Sequence, residues 1–159
     1  MSWIGKIART GRIVEPAYDA PEATVAPPTG VPGSLQLRHV DCGSCNGCEL
    51  EITSAFSPVY DAERFGALLV ASPRHADALL ATGVVTHNMR QPLLNTLKAI
   101  PEPRVVIAVG DCAVNGGVFT KGYGVAGTVG DVVPVDVEIP GCPPTPQQII
   151  TALRSVTGR

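Results

Sequence analysis

Between Ser34 and the C-terminus, the runs "LQLRHV", "ADALLATG", "RVVIAVG" and "VVPVDVEIPG" recur with helical stretches between most of them. Largely apolar runs of this kind suit strands buried on both faces, and such strands belong to parallel sheets covered by helices. "GALLVAS" reads as a further strand of the same kind, joined to "ADALLATG" without an obvious helix between them. Helices are expected from Glu49 to Phe56, over "VTHNMRQPLLNTLKAI" with Met89, Leu93, Leu94 and Leu97 on its apolar side, and over "TPQQIITALRSV". The last opens with Thr145 as N-cap and Pro146 at the first helical position. The sequence therefore predicts a three-layer α/β domain with a mainly parallel sheet.

In such a sheet, ligands bind beyond the carboxyl ends of the strands. The cysteines fall there. "DCGSCNGCELEI", residues 41–52, follows the first strand and carries Cys42, Cys45 and Cys48; Cys112 follows "RVVIAVG", and Cys142 follows "VDVEIPG". These five are all the cysteines of the 159-residue chain. Neither a signal peptide nor a run of about 20 apolar residues is present, so a cytoplasmic location is expected. In a reducing compartment, five cysteines point to metal or redox chemistry rather than disulfides. A net charge of -2 gives no electrostatic footprint for nucleic acid.

A C-x-x-C hairpin completed by two distant loops suits structural zinc or an iron-sulfur cluster. Two choices favour the cluster. Cys142 precedes Pro143, as the last cysteine does in the bacterial ferredoxin motif. Gly43, Gly47, Gly110, Gly116, Gly117 and Gly141 crowd the loops and let backbone N–H groups approach sulfur. Spacing alone does not say which four of the five thiols are ligands.

"DCGSCNGCELEI", "SPVYDAERFG", "ASPRHADALLATGVVTHNMRQPLL", "GDCAVNGGVF" and "VPVDVEIPGCPPTP" together resemble the small subunit of group 4 membrane-bound nickel-iron hydrogenases, of the formate hydrogenlyase type. They are also similar to the B subunit of respiratory NADH:quinone oxidoreductase. The resemblance spans about residues 35 to 155. It implies a flavodoxin-like domain holding one 4Fe-4S cluster on Cys45, Cys48, Cys112 and Cys142, with Cys42 a spare thiol buried beside it. It also implies a nickel-iron large subunit as catalytic partner, a ferredoxin-like iron-sulfur subunit, and a place on the inner face of the cell membrane. The quinone branch has adjacent cysteines where this chain has C-N-G-C, the hydrogenase-like spacing. A cluster-bearing subunit of a quinone-reducing, ion-translocating complex and a zinc-stabilised assembly module are the alternatives.

Around the cluster loop, Glu49 and Glu51 read as partners of a helix N-terminus, with a proton relay as the functional alternative for Glu49. Arg74 and His75 of "SPRHAD" end a strand, where the resemblance suggests proximity to the cluster and to the subunit interface; solvated surface is the other reading. Gly47 and Gly141 are expected beside the ligands. His39 and His87 read as packing or surface residues. "GYGVAG", residues 122–127, matches a dinucleotide pattern literally, yet neither directly follows a strand nor opens a helix, which argues against that role.

Residues 1–14 carry Lys6, Arg9 and Arg12 with Trp3, Ile4 and Ile7 on one side of a short helix, a pattern suited to docking on membrane subunits. Residues 15–34 hold five prolines and two glycines and read as a linker or strap. The cluster domain is expected over 35–159.

Overall fold

A computed structural model describes residues 33–158. The expected docking segment, and the strap up to residue 32, lie outside the described residues. In chain order the elements are β1 (Leu35–Asp41), α1 (Gly47–Ala55), β2 (Ala67–Leu69), β3 (Ala78–Thr82), β4 (Val85–Thr86), α2 (His87–Ala99), β5 (Val105–Val109), α3 (Asp111–Asn115), β6 (Val125–Gly127), β7 (Val137–Ile139) and α4 (Pro146–Thr157).

Five strands form one sheet in the order β2-β1-β3-β5-β7, every pair parallel. Counted along the chain, this is the 2-1-3-4-5 order of flavodoxin-like folds. Strand pleating then separates two cores. Leu35 and Leu37 of β1, Leu80 of β3, Ile107 of β5 and Ile139 of β7 face one layer, where Ile52 of α1 and Ile149 and Leu153 of α4 meet them. The alternate residues Val40, Leu79, Ala81, Val106 and Ala108 face the other, against Leu93 and Leu97 of α2. The result is three layers, with β3 and β5 buried along their whole length as the apolar runs predict.

"GALLVAS" departs from expectation. Only Ala67–Leu69 is strand, and it lies at the sheet edge with Leu68 and Leu69 each 39% exposed, so burial on both faces is not met. A short 3-10 turn at Pro73–His75 takes the place of a crossover helix; proline's missing N–H ends any continuing ladder there. The last strand is likewise shorter than "VVPVDVEIPG", being bounded by Pro134 and Pro140. Its following helix starts as expected: Thr145 and Gln148 form a reciprocal capping box ahead of Pro146. The small β4–β6 antiparallel pair was not read from the sequence.

Candidate functional site

The carboxyl ends of β1, β3, β5 and β7 open onto one cavity of about 80 Å³. A single water needs only about 10–15 Å³ by a comparable measure, so the space suits a group of several atoms. Cys45 and Cys48 reach it from the β1 loop, Cys112 from the β5 loop and Cys142 from the β7 loop, while Gly83 beyond β3 completes the wall.

Each thiol is delivered by local backbone chemistry. After β1, the Asp41 carboxylate accepts hydrogen bonds from the Gly43 and Ser44 N–H groups, both at 2.8 Å, and turns the chain back toward the cavity. Asn46 takes a left-handed conformation, φ 71°, and starts α1, whose first turn carries Cys48. After β5, Gly110 at φ 88° and ψ 155° leads into α3 and Cys112. A side chain at Gly110 would collide with the Cys48 sulfur, so this position requires glycine for conformation and for space. At Gly117 an added Cβ would stand a tight 3.1 Å from Cys112 Sγ, whereas at Gly47 it would make an ordinary contact of 3.6 Å with Cys45 Sγ.

Cys48 and Cys112 are buried at 8% and 7% exposure, whereas Cys45 and Cys142 are exposed at the mouth. Burial, reinforced by the Glu49 carboxylate, pushes the Cys48 thiol up to about 12. Burial raises Cys112 as well, with the Cys142 and Cys45 thiols adding to it. Thiolate ligation must therefore displace protons. Among the described residues no three His, Cys, Asp or Glu side chains are gathered closely enough to hold one metal ion. The four thiols instead surround an open space, an all-sulfur donor set.

Cys42 is not among the cavity-lining residues. It is fully buried in the second core with Val40 and Leu79, and burial, followed by the Asp41 and Glu49 carboxylates, pushes its thiol up to about 12. Strand parity explains the divergence: residues 36, 38, 40 and 42 share one face.

Glu49 joins a chain of polar groups under α1. The fully buried Thr82 hydroxyl donates to Glu49 Oε1, and His39 Nε2 lies 3.0 Å from Thr82 Oγ1. Since the hydroxyl has one proton, which Glu49 receives, His39 Nε2–H must be the donor to Thr82. Burial lowers the His39 pKa despite the nearby Glu49 and Asp41 carboxylates, so the 3.8 Å approach of His39 to Glu49 is not an ion pair at neutral pH. Glu49 Oε2 is buried with no hydrogen-bond partner.

Arg74 and His75 are exposed on the turn after β2 and do not line the cavity; Gly47 and Gly141 do. His87 is exposed at the start of α2. "GYGVAG" runs from a turn into β6 and opens no helix. Asp111 was missed in the sequence. It lines the cavity and its carboxylate accepts from the Gly141 N–H at 2.7 Å. The contact joins residues 30 positions apart, and only the letter before Cys112 in "GDC" hinted at it.

Residues 45–156 match the family described as NADH ubiquinone oxidoreductase, 20 Kd subunit. Formate hydrogenlyase subunit 7 of Escherichia coli is 54% identical over 71% of this chain and 44% of its own length. The probable membrane-bound hydrogenase subunit mbhJ of Pyrococcus furiosus is 48% identical over 70% of this chain and 67% of its own. The chloroplastic NAD(P)H-quinone oxidoreductase subunit K of Spinacia oleracea is 42% identical, over 67% of this chain and 47% of its own. The chain thus spans under half the length of two of these relatives. Among solved structures, a chain of the membrane-bound sulfane sulfur reductase, an archaeal respiratory membrane complex, aligns with a TM-score of 0.69 at 32% identity, over 79% of this chain and 70% of that one. A chain of the NiFeSe hydrogenase of Desulfovibrio vulgaris Hildenborough aligns at 0.54 with 18% identity, over 74% and 57%, and shares the fold. No helix among the described residues is long and apolar enough to cross a membrane.

Proposed function

The chain belongs to the NADH ubiquinone oxidoreductase 20 Kd subunit family, and from that premise we propose that it is the electron-transfer small subunit of a membrane-associated nickel-iron hydrogenase complex. In this reading Cys45, Cys48, Cys112 and Cys142 ligate one 4Fe-4S cluster. The observation that carries it is the convergence of these four thiols on one cavity at the strand ends. A space between all-sulfur donors suits a cluster better than zinc, whose ligands lie about 2.3 Å from a single point.

When bound, the cluster supplies a one-electron carrier between the partner's catalytic metals and further iron-sulfur centres. The chain's own residues hold and insulate it. Cys48 and Cys112 form the inner, water-excluding side, while Cys45 and Cys142 stand at the mouth, toward the large subunit. Gly47 admits backbone N–H groups beside the sulfurs, and Gly141, whose own N–H is held by Asp111, lines the cavity next to Cys142. Arg74 contributes positive charge, and His75 a hydrogen-bonding ring, at the subunit interface. Glu49 serves as a proton relay, supported by its hydrogen-bonded connection through Thr82 to the partly exposed His39. A ferredoxin-like subunit takes or gives the electrons, and residues 1–14 dock the chain against membrane subunits on the cytoplasmic face.

Anaerobically purified protein should contain about four irons per chain with a brown chromophore and, when reduced, a spin-resonance signal. Stoichiometric zinc without iron would sink the reading. The spinach relative's name favours a second one, a cluster-bearing subunit of a quinone-reducing complex. The C-N-G-C spacing argues for the hydrogenase branch. Membranes holding the complex should then evolve hydrogen from a low-potential reduced dye. Nickel-free complex with inhibitor-sensitive quinone reduction would favour the second reading.

A further inference from the structure

We propose that Asp111 is a positioning residue that fixes the Cys112 and Cys142 loops to one another and lowers the reduction potential of the group they hold, an inference that rests on the cluster reading above. The two loops leave neighbouring parallel strands, β5 and β7, whose ladder ends at Ile139. Beyond it, three hydrogen bonds continue the pairing. Gly110 N–H donates to the Ile139 carbonyl at 2.8 Å, Asp111 N–H donates to the Gly141 carbonyl at 2.8 Å, and Gly141 N–H donates to Asp111 Oδ1 at 2.7 Å. The last is the one that a side chain makes.

The geometry explains why a side chain is needed. Gly141 sits at φ 140°, a conformation that L side chains rarely adopt, with Pro144 packed where its Cβ would be. Its N–H is thereby turned out of the strand ladder, and Asp111 reaches across to meet it. The reciprocal pair clamps the residue before Cys142 to the residue before Cys112, so the separation of these two thiols is set before any metal arrives. Asp111 is also the one carboxylate-bearing residue lining the cavity. A negative charge there disfavours the reduced, more negative state of an iron-sulfur cluster.

Two variants separate the clamp from the charge. Asp111→Asn keeps an acceptor oxygen for Gly141 and loses the charge, while Asp111→Ala loses both. In the intact anaerobic complex, Asp111→Ala should lose iron to a chelator roughly ten-fold faster than the native protein, the factor expected for one hydrogen bond. Asp111→Asn should retain iron at close to the native rate, yet its reduced signal should appear at a higher potential in a redox titration. Amide exchange at Gly141 in the full chain should accelerate in Asp111→Ala and remain slow in Asp111→Asn. If Asp111→Ala keeps iron and Gly141 protection at native rates, the clamp is refuted. Equal loss in both variants refutes it too, as does an unchanged potential in Asp111→Asn for the charge. Where Asp111→Ala fails to fold, the Asn variant's iron retention and potential decide. Native protein without iron would defeat the cluster reading instead, and Gly141 exchange would then still test the clamp.

Discussion

Gly110→Ala tests whether the cavity wall is as tight as the geometry requires. Gly110 lies at φ 88° and ψ 155°, a region populated almost exclusively by glycine, and holding another residue there costs about 1–3 kcal/mol. The added methyl also meets Cys48 Sγ. Cys48 cannot easily retreat, because α1 is anchored by Ile52 at 3% and Ala55 at 0% exposure in the first core. Overpacking of this kind costs about 1–3 kcal/mol more. The combined loss, about 2–6 kcal/mol, is a large share of the roughly 5–15 kcal/mol that holds a domain together. Gly124→Ala is the matched control, since nothing lies within 4 Å of its added Cβ and its φ is not in the left-handed range. Urea unfolding of the two variants should show a much lower midpoint for Gly110→Ala at similar slope. Iron content should fall with it, because the methyl displaces the Cys48 sulfur to which the proposed function assigns a ligand role. Equal midpoints for the two variants would refute the reasoning.

Cys42→Ser should keep the full iron content, because its side chain lies in the second core, while losing about 1–3 kcal/mol of stability by burying a hydroxyl among apolar groups; iron loss in this variant alone would overturn the ligand set. Thr145→Ala should cost about 1 kcal/mol in thermal or urea unfolding, through loss of the capping box that starts α4. Deleting residues 1–14 should leave iron content unchanged and weaken retention of the complex on membranes; retention equal to the native complex at physiological and higher salt would rule out the docking role.

The sheet was legible because β3 and β5 are buried on both faces, so their length is written in apolar letters save for Thr82 at the end of β3. β2 was misread for the same reason. "ALL" is as apolar as a central strand, and only the spatial fact that β1 is its one neighbouring strand among the described residues makes it an edge. The convergence of the three cysteine loops was legible from topology, since parallel strands deliver all their carboxyl ends to one side, whereas the choice of Cys45, Cys48, Cys112 and Cys142 over Cys42 came from the family resemblance. What the letters did not carry were polar contacts between side chains of different elements. His39, Thr82 and Glu49 meet because odd-numbered residues of β1 and even-numbered residues of β3 point to the α1 layer, in a register that pairs Asp41 with Thr82. That register is a property of the ladder, invisible in either strand by itself.

The same ladder bears on the order in which fold and site form. Classical zinc fingers have little core and fold only with metal. Here two cores, one on each side of the sheet, are built almost wholly from side chains that do not line the cavity, and the strand ends fix the loops through backbone hydrogen bonds such as those of Gly110 and Asp111. Of the four cavity thiols only Cys48 belongs to a core, and it enters through the helix that Ile52 and Ala55 already anchor. The placement of the four thiols is thus set by the elements that carry them. It follows that substitutions in the four cavity thiols act on what the cavity holds, substitutions such as Gly110→Ala act on whether it keeps its shape, and Asp111 acts on both, through its hydrogen bond to Gly141 and through its charge.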